Sequence, residues 1–365
     1  MKKAFTRTLL FAIPAVVGFS EMQAQQSIKQ SGIDINQMNL KVKPSEDFFQ
    51  FVNGTWLDNT EIPSDKKRWG SFDELRQNTD RDALAILNEA AKNPKYISST
   101  DQGKAINLYQ TILDTLGRDK AGIAPLKPIL AKINAIKNSN DLQKFMIEME
   151  PNVGISFFGT YVAPDRKNSN RNVVNLTTAR VGLPDRDYYV SEEKDSKEKR
   201  EKYVLHVAKM LQFMGDSPAK AKTNAQDILA FETALVTPTL DRVERRDSRK
   251  TYNPMSVADL QKLMPSVNWN NYFTGIGLKN LDSLNVSQPK YLTALDGILK
   301  ANKVNSWKAY LRWTALNGAA SKLSTEIENV NWEFFGKTLT GAPKKSPRDE
   351  RALQVINGSV GEALG

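Results

Sequence analysis

The sequence predicts a mainly α-helical protein with one small β-hairpin. Three observations carry that expectation. Apolar residues recur at i, i+3, i+4 spacing through most of the chain after Pro44. The period changes to β-type only between Ile155 and Ala179. Helix punctuation of the Ser, Asp and Gly kind recurs at the edges of the periodic stretches.

The elements follow in order. Lys2, Lys3 and Arg7 precede an apolar run from Leu9 to Phe19, and Ala24 follows before Gln25-Gln26. A basic start, a short apolar stretch and a small residue predict a signal peptide over residues 1–24. The run is too short to span about 30 Å of hydrocarbon. No later segment is apolar enough to cross a membrane. The expected location is therefore export, to a periplasmic, outer-membrane-associated or extracellular site. Residues 25–43 are polar and read as a linker. From Pro44 a helix is expected, capped by Ser45, with Phe48, Phe49, Val52 and Trp56 on one face and a weakness at Asn53-Gly54. Ile62-Pro63-Ser64-Asp65 reads as a turn. Ser71 and Glu74 form a capping-box pattern that opens a long helix, its buried side being Phe72, Leu75, Ala83, Ile86, Leu87 and Ala90.

Further helices are expected over 101–116, 124–137 and 140–149. Then come ISFFGTYV and NVVNLTTA, separated by a turn-rich segment from Pro164 to Asn170, which predict the hairpin. Helices resume near 191–214, 217–236, 256–264, 288–302, 306–327 and 347–364.

Composition narrows the chemistry. The chain has one histidine, His206, and no cysteine. Disulfides are excluded, and so is a lipid-modified cysteine. A hydrolytic zinc centre needs about three protein ligands and an open position for water. The formal charge is +10, but the lysines are scattered rather than blocked. That pattern reads as a solvated basic surface, with no nucleic-acid partner expected. No nucleophile elbow, P-loop or EF-hand loop is present, and Gly275-x-Gly277 lacks the third glycine of a dinucleotide site. His206 is read as lying on a helix surface.

The strongest local constellation is Lys66-Lys67-Arg68-Trp69-Gly70-Ser71-Phe72-Asp73-Glu74-Leu75-Arg76. Arg68 enters the helix and Arg76 lies a little over one turn inside it. Two guanidinium forks so placed suit a carboxylate ligand. The same spacing also allows Arg76 to pair with Asp73 or Asp80 on its own helix. A second basic cluster, Arg242, Arg245, Arg246, Arg249 and Lys250, alternates with Asp241, Glu244 and Asp247. It reads as an ion-paired, solvated face.

Several segments, taken in order, resemble the N-terminal region of the M13, neprilysin-like and PepO-like, zinc endopeptidases. They are Glu46-Asp47-Phe48-Phe49-Gln50-Phe51-Val52-Asn53-Gly54-Thr55-Trp56-Leu57, Ile62-Pro63, Arg68-Trp69-Gly70-Ser71-Phe72, Gly182-Leu183-Pro184-Asp185-Arg186-Asp187-Tyr188-Tyr189, Thr251-Tyr252-Asn253-Pro254-Met255, Trp307, Tyr310-Leu311-Arg312 and Phe334-Phe335. The resemblance runs from about residue 41 to the end. It implies a multi-helix lobe of a two-lobed peptidase that encloses a peptide cavity. Residues 44–365 would form the M13 N-terminal region, with 44–76 packing toward the catalytic lobe.

The family's zinc is held by H-E-x-x-H and a downstream glutamate of the C-terminal domain. H-E-x-x-H needs two histidines where this chain has one, and the resemblance ends before both elements. On that reading the chain is a truncated first half, without zinc or catalytic residues of its own, and inactive alone. The resemblance assigns Arg68 and Arg76 to binding the C-terminal carboxylate of a peptide substrate. It also implies that Ala352 stands where animal members carry a cysteine, which fits an exported bacterial protein. Two other readings stay open: a non-enzymatic exported peptide- or protein-binding module, and one half of a split enzyme that meets its catalytic half in trans.

Overall fold

A computed structural model describes residues 32–301 and 303–364. The expected signal peptide and residues 25–31 of the expected linker lie outside the described residues. Among the described residues no helix is long and apolar enough to cross a membrane. The chain divides into two compact units, 1–61 and 62–365.

In the first unit a 3-10 turn, Ile35–Gln37, precedes the helix Phe48–Asn59. The cap is Asp47, whose side chain accepts from the Gln50 N–H at 2.9 Å, and not Ser45 as the sequence suggested. Asn53-Gly54 does not end this helix. Gly54 is required instead by close approach, since a Cβ there would lie 2.6 Å from the Cβ of Asn39. The Asn39 N–H donates to the Phe51 carbonyl at 2.9 Å, and Thr55 Oγ1 donates to the Met38 carbonyl at 2.9 Å. Phe48 and Phe49 are exposed.

The second unit is built from helices around a small sheet. Its strands are β1 (Phe158–Asp165), β2 (Asn168–Thr178), β3 (Pro254–Ser256) and β4 (Ser283–Val286), in the order β1-β2-β4-β3. β1 and β2 form the expected hairpin, antiparallel with Phe158 opposite Thr178. β2 pairs with β4 in parallel and β4 with β3 antiparallel. The last two strands were not foreseen; three and four residues are too few to display a period.

The largest core cluster packs Phe157, Phe158, Trp269, Tyr272, Trp307 and Tyr310 between the sheet and the helices. A second gathers Tyr203, Val207, Met210, Trp313 and Phe334. A third joins Leu87, Tyr109 and Ile112 to Ala352, Leu353 and Ile356.

Three expected helices are interrupted. The 101–116 segment breaks at Asp114, which caps Thr115–Ala121 by accepting from the Gly117 N–H. The 306–327 segment resolves into Val304–Ala319, a 3-10 turn Ala320–Lys322, and Thr325–Trp332 capped by Ser324. The break is stabilised from outside. The buried Arg118 guanidinium donates to the carbonyls of Ile112, Ser321 and Leu323, filling acceptors that a helix end leaves open. The 347–364 segment is helical only over Arg348–Asn357, followed by a 3-10 turn Gly361–Ala363.

Candidate functional site

The Arg68 segment lies at the start of the second unit. Residues 60–70 contain no helix or strand, only a turn in which the Lys66 N–H donates to the Pro63 carbonyl at 2.8 Å. The helix that follows is Ser71–Ala90, with extended Gly70 as its N-cap and no side-chain cap. Ser71 is thus already helical, and the expected Ser71–Glu74 capping box does not form. Asp73 and Glu74 still sit in the first turn, where the helix dipole favours negative charge.

Both predicted arginines are exposed. Arg76 Nε lies 3.8 Å from Asp80 Oδ2, one of the two same-helix pairings that the spacing allowed. Its side chain remains 70% exposed, so this pair is worth at most about 1 kcal/mol. Among the described residues Arg68 makes no ion pair, and the two guanidinium groups share no carboxylate.

The expected buried side of this helix is only partly buried. Leu87 is fully covered, where the helices Asp101–Leu113 and Arg348–Asn357 meet it. Phe72, Leu75 and Ile86 are 88%, 63% and 55% exposed. The apolar stripe is real, but no described residue covers its first half. Two uncovered apolar side chains, Phe72 and Leu75, therefore adjoin Arg68 and Arg76 in sequence.

The Arg68 segment is tied down on its N-terminal side. Ser346 Oγ donates to Asp65 Oδ2 at 2.9 Å, Lys66 Nζ lies 2.7 Å from the same oxygen, and the Lys344 N–H donates to the Ser64 carbonyl at 3.1 Å. Lys66 Nζ also lies 3.7 Å from Glu350. Burial alone would raise the Asp65 carboxyl, but the hydrogen bonds from Lys66 and Ser346 outweigh it and hold it below the usual range.

The partner segment is anchored in turn by Glu328, a buried carboxylate. Arg351 Nε (2.9 Å), Arg348 (3.1 Å), Lys345 (3.2 Å) and Arg118 (3.3 Å) surround it. Burial would push Glu328 up; the charges of Lys345, Arg351 and Arg348 bring it below its ordinary value instead. None of these partners was visible in the sequence. Asp65 and Ser346 are 281 positions apart, and no local signal marks them.

Elsewhere, Glu232 is fully buried and accepts from the Gly182 N–H (3.0 Å), Tyr189 (2.9 Å) and Tyr203 (2.7 Å). Burial dominates these bonds and raises its carboxyl to about 7. It borders a cavity of 510 Å³ with Arg180 and Lys322 on its lining, which neither Arg68 nor Arg76 reaches.

His206 is not on a helix surface. It is buried, stacked on Phe334 at 4.8 Å with Trp313 and Phe335 edge-on, and burial lowers its imidazole to about 4. The second basic cluster is ion-paired as expected through Arg249–Asp247 and Lys250–Glu244. Two members reach further, since Arg242 and Arg245 converge on buried Asp185 at 3.4 and 3.0 Å.

Among the described residues no group of three histidine, aspartate or glutamate side chains lies together as a metal site would need. With one histidine and no cysteine in the whole sequence, the donors do not fit the His-rich catalytic zinc centres of peptidases.

Comparison with known proteins agrees with this architecture. Endothelin-converting enzyme 1 of Cavia porcellus is 26% identical over 343 residues, covering 91% of this chain and 45% of the relative. Neprilysin-3 of Drosophila melanogaster is 26% identical over 353 residues, covering 91% and 44%. The chain thus spans less than half the length of these relatives. Among solved structures, the inhibitor complex of Mycobacterium tuberculosis zinc metalloprotease Zmp1 superposes with a TM-score of 0.84 at 29% identity, covering 92% of this chain and 51% of that one. PepO from Lactobacillus rhamnosis HN001 shares the fold, with a TM-score of 0.77 at 21% identity over 88% and 51% of the two chains. The family model described as peptidase family M13 matches residues 44–365, and on that match the chain belongs to peptidase family M13.

Proposed function

We propose that this chain is the substrate-enclosing part of an exported M13-type zinc metalloendopeptidase, and that Arg68 and Arg76 hold the C-terminal carboxylate of a short peptide. The observation that carries this reading is the pairing of charge and exposure at one helix start. Arg68 has no ion-pair partner among the described residues, Arg76 has one weak one, and Phe72 and Leu75 lie uncovered between them in sequence. Charged hydrogen bonds to a carboxylate give affinity and direction, and the apolar neighbours suit the terminal side chain.

Hydrolysis needs a metal centre that these residues do not supply, so the chain alone is inactive. The hydrolytic residues come from a further domain or from a second chain in trans. The shortage of metal donors equally favours a second reading, a non-enzymatic peptide-binding module. In either case residues 1–24 direct export and are removed, and 25–43 link them to the family region.

The test is binding of a short dansylated peptide with a free C-terminal carboxylate, set against its C-terminal amide. A charged hydrogen-bonded contact predicts roughly 10- to 100-fold preference for the acid, lost in Arg68→Ala and reduced in Arg76→Ala. Equal affinity for acid and amide would overturn the carboxylate reading. Chelator-sensitive peptide turnover by the purified chain would overturn its inactivity. N-terminal sequencing of protein recovered from the exporting host, expected to begin near Gln25, tests the leader.

A further inference from the structure

We propose that Asp65 is a positioning residue for Arg68, and that Ser346 is its essential partner; this rests on the carboxylate-binding reading above. Arg68 lies in a stretch with no regular structure, so its place is set by whatever fixes the backbone on either side. On one side is the helix starting at Ser71. On the other, three residues before Arg68, the Asp65 side chain is hydrogen-bonded to a remote part of the fold.

That bond is a clamp with several jaws. Ser346 Oγ donates to Asp65 Oδ2 at 2.9 Å. Lys66 Nζ bridges Asp65 (2.7 Å) and Glu350 (3.7 Å). The Lys344 N–H closes on the Ser64 carbonyl at 3.1 Å.

The far side of the clamp is itself held by ion pairs. Lys345, Arg348 and Arg351 all engage Glu328, and the Arg351 guanidinium also donates to the Ser346 carbonyl. Glu328 faces buried Arg118, which is bonded to three backbone carbonyls. A continuous set of polar contacts therefore runs from the core to the turn that delivers Arg68. None of the clamp residues carries the proposed ligand. Their contribution is preorganisation: a guanidinium on a fixed backbone loses less freedom on binding than one on a loose loop.

The experiment measures the acid-to-amide affinity ratio of the same dansylated peptide on the full chain, with hydrogen exchange of residues 62–70 read in parallel. Ser346→Ala and Asp65→Ala are each expected to lower the ratio about 3- to 10-fold and to speed exchange in that segment, with unchanged circular dichroism. Ser346→Thr, which keeps the hydroxyl, is expected to retain the wild-type ratio; a purely steric role for Ser346 would not predict that rescue. If Arg68→Ala abolishes the preference while Ser346→Ala and Asp65→Ala both keep it, the positioning role is wrong and the carboxylate reading stands. If the wild-type chain shows no preference, both fall.

Discussion

Replacing Glu328 by glutamine should destabilise the second unit severely, although the change keeps the side chain's size. Glu328 is 4% exposed, and four cations converge on it. Lys345, Arg348 and Arg351 are 16%, 21% and 22% exposed and can relax toward water when the charge is lost. Arg118, at 7%, cannot. Burial already depresses its guanidinium, and Glu328 is the main charge opposing that. Removing one member of a buried pair costs about 3–5 kcal/mol, and the three carbonyls that remain on Arg118 place this case near 3. For a unit of about 300 residues that is a fall in Tm of about 5 °C.

The pH dependence has a defined sign. The folded carboxyl lies below its ordinary value of 4.5. Its stabilisation is present above that value and is lost as pH falls through the lower folded one. The gap between wild type and variant should therefore be constant near pH 7 and close below about pH 4.5. Differential scanning calorimetry at pH 7 and pH 4 measures both. A variant melting within about 1 °C of wild type at pH 7 would show that Arg118 does not depend on this charge.

Two further outcomes follow from buried contacts. Gly182→Ala puts a Cβ 1.9 Å from the Tyr203 hydroxyl and 2.9 Å from Trp313 Nε1, dislodging the Tyr203–Glu232 bond; about 3 kcal/mol of loss in urea denaturation is expected, and under about 0.5 would contradict it. His206 is held neutral down to about pH 4 against an ordinary value of 6.5, so stability should fall as pH drops across that window while the unfolded chain takes up the proton. His206→Phe should lose less stability than wild type between pH 6.5 and 4.5, and parallel thermal profiles would exclude that coupling.

Much of the fold was readable because it is local. The long helices and the β1–β2 hairpin announce themselves by period, and the ordered M13 segments point to the family that the comparisons identify. What could not be read depends on partners far away in the chain. The stripe from Phe72 to Ala90 looks uniformly amphipathic, yet its burial is decided by Tyr109, Ile112, Leu353 and Ile356, which bury Leu87 and partly cover Ala83 but leave Phe72, Leu75 and Ile86 exposed. Ser71-x-x-Glu74 has the letters of a capping box, but the chain enters the helix one residue earlier, at Gly70. His206, within Tyr203-Val204-Leu205-His206-Val207, was expected on a helix surface, while Trp313 and Phe334 from distant parts of the chain enclose it. At the candidate site, Arg68 and Arg76 are marked by the motif; the Asp65–Ser346 tether is not, since side chains so distant in sequence carry no shared period.

The parallel pairing of β2 with β4 has a consequence for biosynthesis. Asn285 donates from its side-chain amide to Asn175 across 110 positions of chain. At usual elongation speeds, β2 waits roughly 5–20 s beside the ribosome before its neighbour exists. Throughout that interval one flank of the hairpin is an open template, with Val174 and Leu176 not yet shielded. The hazard of strand mispairing is thus concentrated in the nascent polypeptide, and a holding chaperone would act in the span between translation of Thr178 and Val286.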